Sequence, residues 1–170
     1  MYMKTKSNLF ILLILSLLLI PTILIAQQKS NAGNYSFKTE CLGVELDGSV
    51  TVKAWGSGRN RIDAVAQAKK NAVYDVVFKG IIDGNRDCFP YPLVPEVNAE
   101  MKYEDYFNKF FSDKIGIYKE YVSMRDERLD ATIFRKRLKN SGGVTYSIVI
   151  RVLRPQLKQR MIDDGILKSK

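Results

Sequence analysis

Apolar and polar positions alternate along this chain in blocks of different period, and each period predicts an element. From Phe37 to Leu46, and again from Ser49 to Trp55 through Val50, Val52 and Ala54, the alternation is that of a strand. Asp47-Gly48 between the two blocks is a hairpin signal, since both residues tolerate the left-handed backbone that tight turns need. The period then lengthens. Ile62, Val65, Ala66, Ala72, Val73, Val76 and Val77 fall on one face of a helix expected over 60–82, long enough to cross a small sheet. Asn60 with Asp63 three residues on resembles a capping-box start.

Residues 84–100 carry Pro90, Pro92 and Pro95, so they predict an ordered loop rather than helix or central strand. Tyr103, Tyr106, Phe107, Phe110 and Phe111 then recur at helical spacing, an aromatic stripe whose default place is the core. Strand-like runs follow at 117–126, 131–139 and 144–153, the last two joined by Asn140-Ser141-Gly142-Gly143. Pro155 can open a final helix, with Leu157 and Met161 facing inward and Gly165-Ile166 as a glycine C-cap. The expected fold is α+β: about five mostly antiparallel strands with the long helix packed on one face, in two layers.

The N-terminus changes where that fold begins. Lys4 and Lys6 precede an apolar run from Leu9 to Ile25, and Ala26 stands at a polar boundary, so 1–26 reads as a secretory signal. An uncleaved inner-membrane anchor is the alternative, because Leu24 is not the small residue a cleavage site favours and the run is nearly long enough to span a bilayer. Residues 27–35 read as a flexible leader and 36–168 as a single domain, the chain being short for two. An exported protein of this kind is expected in the periplasm or at the outer membrane.

Charge and cysteines narrow the chemistry. With 27 basic against 18 acidic residues, the formal net charge is +9. In an exported protein that balance suits anionic lipid, acidic glycan or an acidic partner protein rather than nucleic acid. Cys41 and Cys88 are the only cysteines, and export makes a disulfide between them the expectation, two separately buried thiols being the other. The chain has no histidine, which removes Ser-His and Cys-His catalysis and argues against a zinc site.

Five features are candidate sites. Gly56-Ser57-Gly58 lies between strand and helix, where a dinucleotide fingerprint would be. Arg61 occupies the third glycine position and no parallel strand is expected after the helix, so the glycines read as a tight joint and no cofactor is expected. Asp83-Gly84-Asn85-Arg86-Asp87 opens like a calcium loop, but Cys88 replaces the glycine and Val94 the bidentate acid, which leaves a turn and no metal. Phe89 and Tyr91, held by the prolines, are candidates for exposed recognition. Arg135, Arg137 and Lys139 alternate onto one strand face, and Arg151 and Arg154 extend this into a basic ribbon, or else simply solvate the sheet. Asp126, Glu127 and Asp130 cluster at an expected turn, and no spacing selects a catalytic pair, so an enzyme is not expected.

"VTVKAWGSGRNRIDAVAQAKKNAVYDVVFKGI" with "VNAEMKYEDYFNKFF" resembles an uncharacterised family of small exported envelope proteins of Gram-negative bacteria, over residues 50–165. More distantly, the strand, the G-x-G joint and the helix bearing "QAKKNA" are similar to the N-terminal domains of TolB-like and flagellar-ring-associated periplasmic proteins. The resemblance implies an antiparallel sheet backed by helices that serves assembly rather than catalysis. The functional expectation is a noncatalytic envelope module that binds another envelope protein or assembles with itself. The alternative is a lipid or glycan binder using the basic ribbon or the 84–100 loop.

Overall fold

Side-chain size along β2 (Val50–Gly58) and helix α1 (Arg61–Tyr74) sets the centre of the molecule. The computed structural model describes residues 38–124, 137–140 and 143–168, with the backbone alone for 137–140. The expected signal, leader and carboxylate cluster, and Arg135, lie outside the described residues. No helix among the described residues is long and apolar enough to cross a membrane.

The fold is α+β. Strands β1 (Glu40–Val44), β2, β3 (Asp83–Gly84), β4 (Val122–Ser123), β5 (Arg137–Asn140) and β6 (Gly143–Val152) build one sheet in the order β3-β1-β2-β6-β4, with β5 also paired to β6. β1–β2, β2–β6, β4–β6 and β5–β6 are antiparallel, while β1 and β3 run parallel through Glu40 to Asp83 and Cys41 to Gly84, so the sheet is mixed. β2 and β6 run opposite each other over nine consecutive residue pairs, Val50 with Val152 through Gly58 with Val144. One parity of these strands, including Val52, Ala54, Ile148 and Ile150, is fully buried in the core with α1 and with α4 (Arg154–Asp163). The other parity mixes buried Trp55 and Val149 with polar and ion-paired residues: Lys53 meets Glu40 at 3.0 Å, and Arg151 meets Glu45 at 3.5 Å.

The buried face of α1 differs from the expected one. Ala64, Ala68, Ala72 and Val73 are buried, whereas Ile62 is 80 % exposed and Val65 and Ala66 are half-buried. The cause is on the sheet. A Cβ at Gly56 would overlap the backbone of Ala64 and Ala68, and one at Gly58 would meet Asp63 and Ala64. The first turns of the helix lie so close to the strand that only alanines fit between them, and there Ile62 turns outward with Val65 half-buried, while Val73 further along is buried as expected. Asn60 caps α1 as expected, its side chain accepting from the Asp63 N–H at 3.0 Å.

Past Tyr74 the helix widens into a π-turn, Asp75–Lys79, closed by the Gly80 N–H on the Asp75 carbonyl at 2.7 Å. A helix end leaves carbonyls without intrahelical donors, and here the proline-bearing loop supplies them. Leu93 N–H donates to the Val76 carbonyl at 3.0 Å and Val94 N–H to that of Val77 at 2.9 Å. Cys88 is joined to Cys41 by a disulfide, with the Cα atoms 6.3 Å apart. The loop is thereby fixed at both ends.

One expected element changes: residues 117–121 form a 3₁₀ turn rather than a strand, after Gly116 in the left-handed region (φ 61°), and only Val122–Ser123 pairs with β6. After the short helix α2 (Ala99–Lys102), the aromatic stripe lies on α3 (Glu104–Phe110) and its flanking residues Tyr103 and Phe111, with Phe107 and Phe110 buried in the core as expected. At the end of α4 the Ile166 N–H reaches the Met161 carbonyl at 2.8 Å and Gly165 N–H reaches that of Ile162 at 3.0 Å. With Gly165 at φ 74° this is the expected glycine C-cap.

Candidate functional site

The tight seating of α1 leaves its outer flank facing α2 and α3 across a groove of about 860 Å³. Its apolar side is one continuous aromatic cluster. Tyr74 and Phe111 have ring centroids 5.9 Å apart, and Phe78 joins Tyr74 to Phe107 at 4.9 and 4.7 Å. Met101 stands 71 % exposed on the rim.

The polar side is largely committed to contacts within the chain. The Tyr74 hydroxyl donates to Glu100 Oε2 at 2.8 Å, and burial, then this bond and the Glu100 charge, push the phenol up to about 12. Asp75 accepts from the Thr39 hydroxyl and pairs with Lys79 at 2.9 Å. Lys70 reaches Asp113 at 2.6 Å and, through this hydrogen bond and its charge, holds the Asp113 carboxyl below the usual carboxylate range. Asn71 closes one wall, donating to the Trp55 carbonyl at 2.8 Å. Among the described residues that line the groove, Glu104 and Asn108 have side chains with no hydrogen bond or ion pair of their own. Three carboxylates, Asp75, Glu100 and Glu104, thus line one cleft, two of them already accepting from neighbours.

Of the residues singled out in the sequence, Phe107 and Phe111 of the aromatic stripe line this groove, whereas Gly56, Gly58, Phe89, Tyr91 and Arg151 do not. Glu100 and Glu104, four apart across two short helices, are a second sequence signal for the same place. Phe89 is 39 % exposed, with the Arg154 guanidinium over its ring at 4.1 Å from the centroid. Tyr91 is 77 % exposed. The ribbon is divided by register. Arg137 and Lys139 stand opposite Tyr146 and Val144, whereas Arg151 belongs to the other parity, opposite Thr51. The calcium-like letters serve a turn, with Asn85 accepting from the Asp87 N–H at 3.0 Å and Asp83 paired with Lys38 at 3.3 Å. No group of three or more histidine, cysteine, aspartate or glutamate side chains able to hold a metal occurs among the described residues.

Comparison with family models, with curated proteins and with solved structures gave no match.

Proposed function

We propose that the protein is a noncatalytic, exported module of the bacterial envelope that binds a segment of another envelope protein, or of a second copy of itself, in the groove between α1 and the α2–α3 pair. The observation that carries this reading is the lining of the groove: an aromatic floor, an exposed methionine rim and polar groups mostly engaged with one another. An entering side chain finds apolar surface and two polar anchors, Glu104 and Asn108, a mixture suited to orienting a partner.

A photo-crosslinking residue at Met101, with one at the exposed Lys158 of α4 as control, tests it in the native envelope. The expected result is a discrete protein adduct from position 101 alone, weakened when Glu104→Lys reverses the anchor. Adducts equal to those from position 158 would overturn the proposal, and turnover of a glycan or ester lost in Glu104→Gln would replace it with hydrolysis by the groove carboxylates. A glycan ligand is the second reading, favoured by Tyr91, whose ring projects from the loop fixed by the disulfide. Retention on envelope polysaccharide that survives Tyr91→Ala would remove that reading.

A further inference from the structure

The outward turn of Ile62 leaves a second surface on α1. Ile62, Val65 and Ala66 floor a depression of about 430 Å³, and Arg61, Lys69 and Lys119 rim it. Among the described residues no carboxylate lines it. Asp63 is bonded to Arg59 and to the Asn60 cap, and Asp113 to Lys70. Arg61 and Lys69 have no ion pair among the described residues, and Lys119 donates only to the Asp113 carbonyl, at 3.2 Å. Arg61 stands in the first turn of α1, where the helix dipole adds positive potential, and Lys69 lies about two turns further along the same helix.

We propose that this flank of α1 docks on an anionic phospholipid surface, with Ile62 entering the acyl boundary and Arg61, Lys69 and Lys119 meeting the phosphates. The complementarity is of two kinds at once. A bilayer edge presents negative charge at one level and hydrocarbon immediately beneath it, the same order in which this flank presents cations and apolar side chains. An acidic peptide fits less well. Its main chain needs donors and acceptors, and the backbone of α1 is committed to its own helix. This surface is separate from the groove, and the proposal stands whether or not the groove binds a protein.

The test reads contact at one position, independently of how the rest of the chain is retained. A spin label is placed at position 62 of the full chain (Ile62→Cys, with Cys41–Cys88 intact), and the protein is mixed with vesicles of zwitterionic lipid, alone or containing phosphatidylglycerol. The expected result is loss of access to an aqueous relaxant and gain of access to oxygen on anionic vesicles only, while a label at Tyr91 stays aqueous. In Arg61→Gln/Lys69→Gln/Lys119→Gln the anionic lipid needed for half-shielding rises about a hundredfold, about fivefold per cation. A label at 62 that stays aqueous on anionic vesicles overturns the proposal. So does shielding that persists in the triple variant, or shielding by polyglutamate but not by lipid, which would mark an acidic protein as the partner. Circular dichroism of the variants confirms the fold in each case.

Discussion

Gly56 lies against the backbone of Ala68 with no room for a side chain between strand and helix. The paired glycines of Gly56-Ser57-Gly58 are thus a packing device, placed where α1 must come down onto β2. Gly56→Val is expected to cost at least about 3 kcal/mol, the upper range for overpacking a rigid site, because what it meets is backbone and cannot turn aside. Gly43→Ala is the control, with nothing within 4 Å of the added methyl, and should change stability by less than about 0.5 kcal/mol. Urea midpoints of the two variants decide the matter, and a tolerated Gly56→Val would show that α1 can lift from the sheet.

The disulfide sets a second expectation. Cys41 in β1 and Cys88 at the head of the proline loop are both buried and lie 47 residues apart in sequence. Closing a loop of that length removes enough unfolded-state entropy to stabilise the fold by about 4 kcal/mol, an upper value if the reduced chain keeps residual structure. Reduction should lower the melting temperature strongly and raise proteolysis within 84–100, where the backbone bonds of Asn85, Phe89, Leu93 and Val94 would be among the remaining ties. A melting curve indifferent to dithiothreitol would refute this.

These two cases mark what was legible in the sequence. The strand, the capped helix start at Asn60, the glycine C-cap at Gly165 and the cysteine pairing are local or compositional signals, and each is in the structure. The period places Ala72, Val73, Val76 and Val77 inside correctly, but it misassigns the first turns of α1. Apolarity ranks Ile62 above Ala64, but the distance from helix to sheet is set by Gly56 and Gly58, and it reverses the ranking. Most of the groove is not legible for a related reason. It is assembled from α1, α2 and α3, and residues such as Tyr74 and Glu100 acquire a shared role only through contacts distant in sequence. The parallel β1–β3 pair likewise depends on the path of the chain after the π-turn, which no hydrophobic period encodes.

Tyr74 gives the groove a measurable titration. Burial and the bond to Glu100 favour the neutral phenol, raising its pKa from the ordinary 10.0 to about 12 in the folded protein. Between these values the folded state holds the proton that the unfolded state releases. The contribution is therefore complete below pH 10 and is lost as pH rises towards 12, and with solvent screening it amounts to about 1 kcal/mol. Glu100→Gln removes the charge and should bring the ultraviolet titration of Tyr74 closer to that of free tyrosine. Identical alkaline titrations for the two proteins would exclude the interaction.

Tyr118 poses the reverse case, a polar atom buried without a partner. Its side chain is completely buried under α1 and beside Phe111, and its hydroxyl has no hydrogen-bond partner among the described residues. Burial raises its pKa, with the Asp113 charge adding to it, so the group remains neutral and merely desolvated. The ring contributes packing while the oxygen costs free energy, because water that solvated it in the unfolded chain is not replaced. Tyr118→Phe keeps the ring and deletes the cost, and should stabilise the protein by about 1 kcal/mol or more. Tyr118→Leu loses the ring contacts and should destabilise it, which separates the two contributions. Chemical denaturation of the pair is the measurement, and a destabilised Tyr118→Phe would mean that the hydroxyl is hydrogen-bonded in solution.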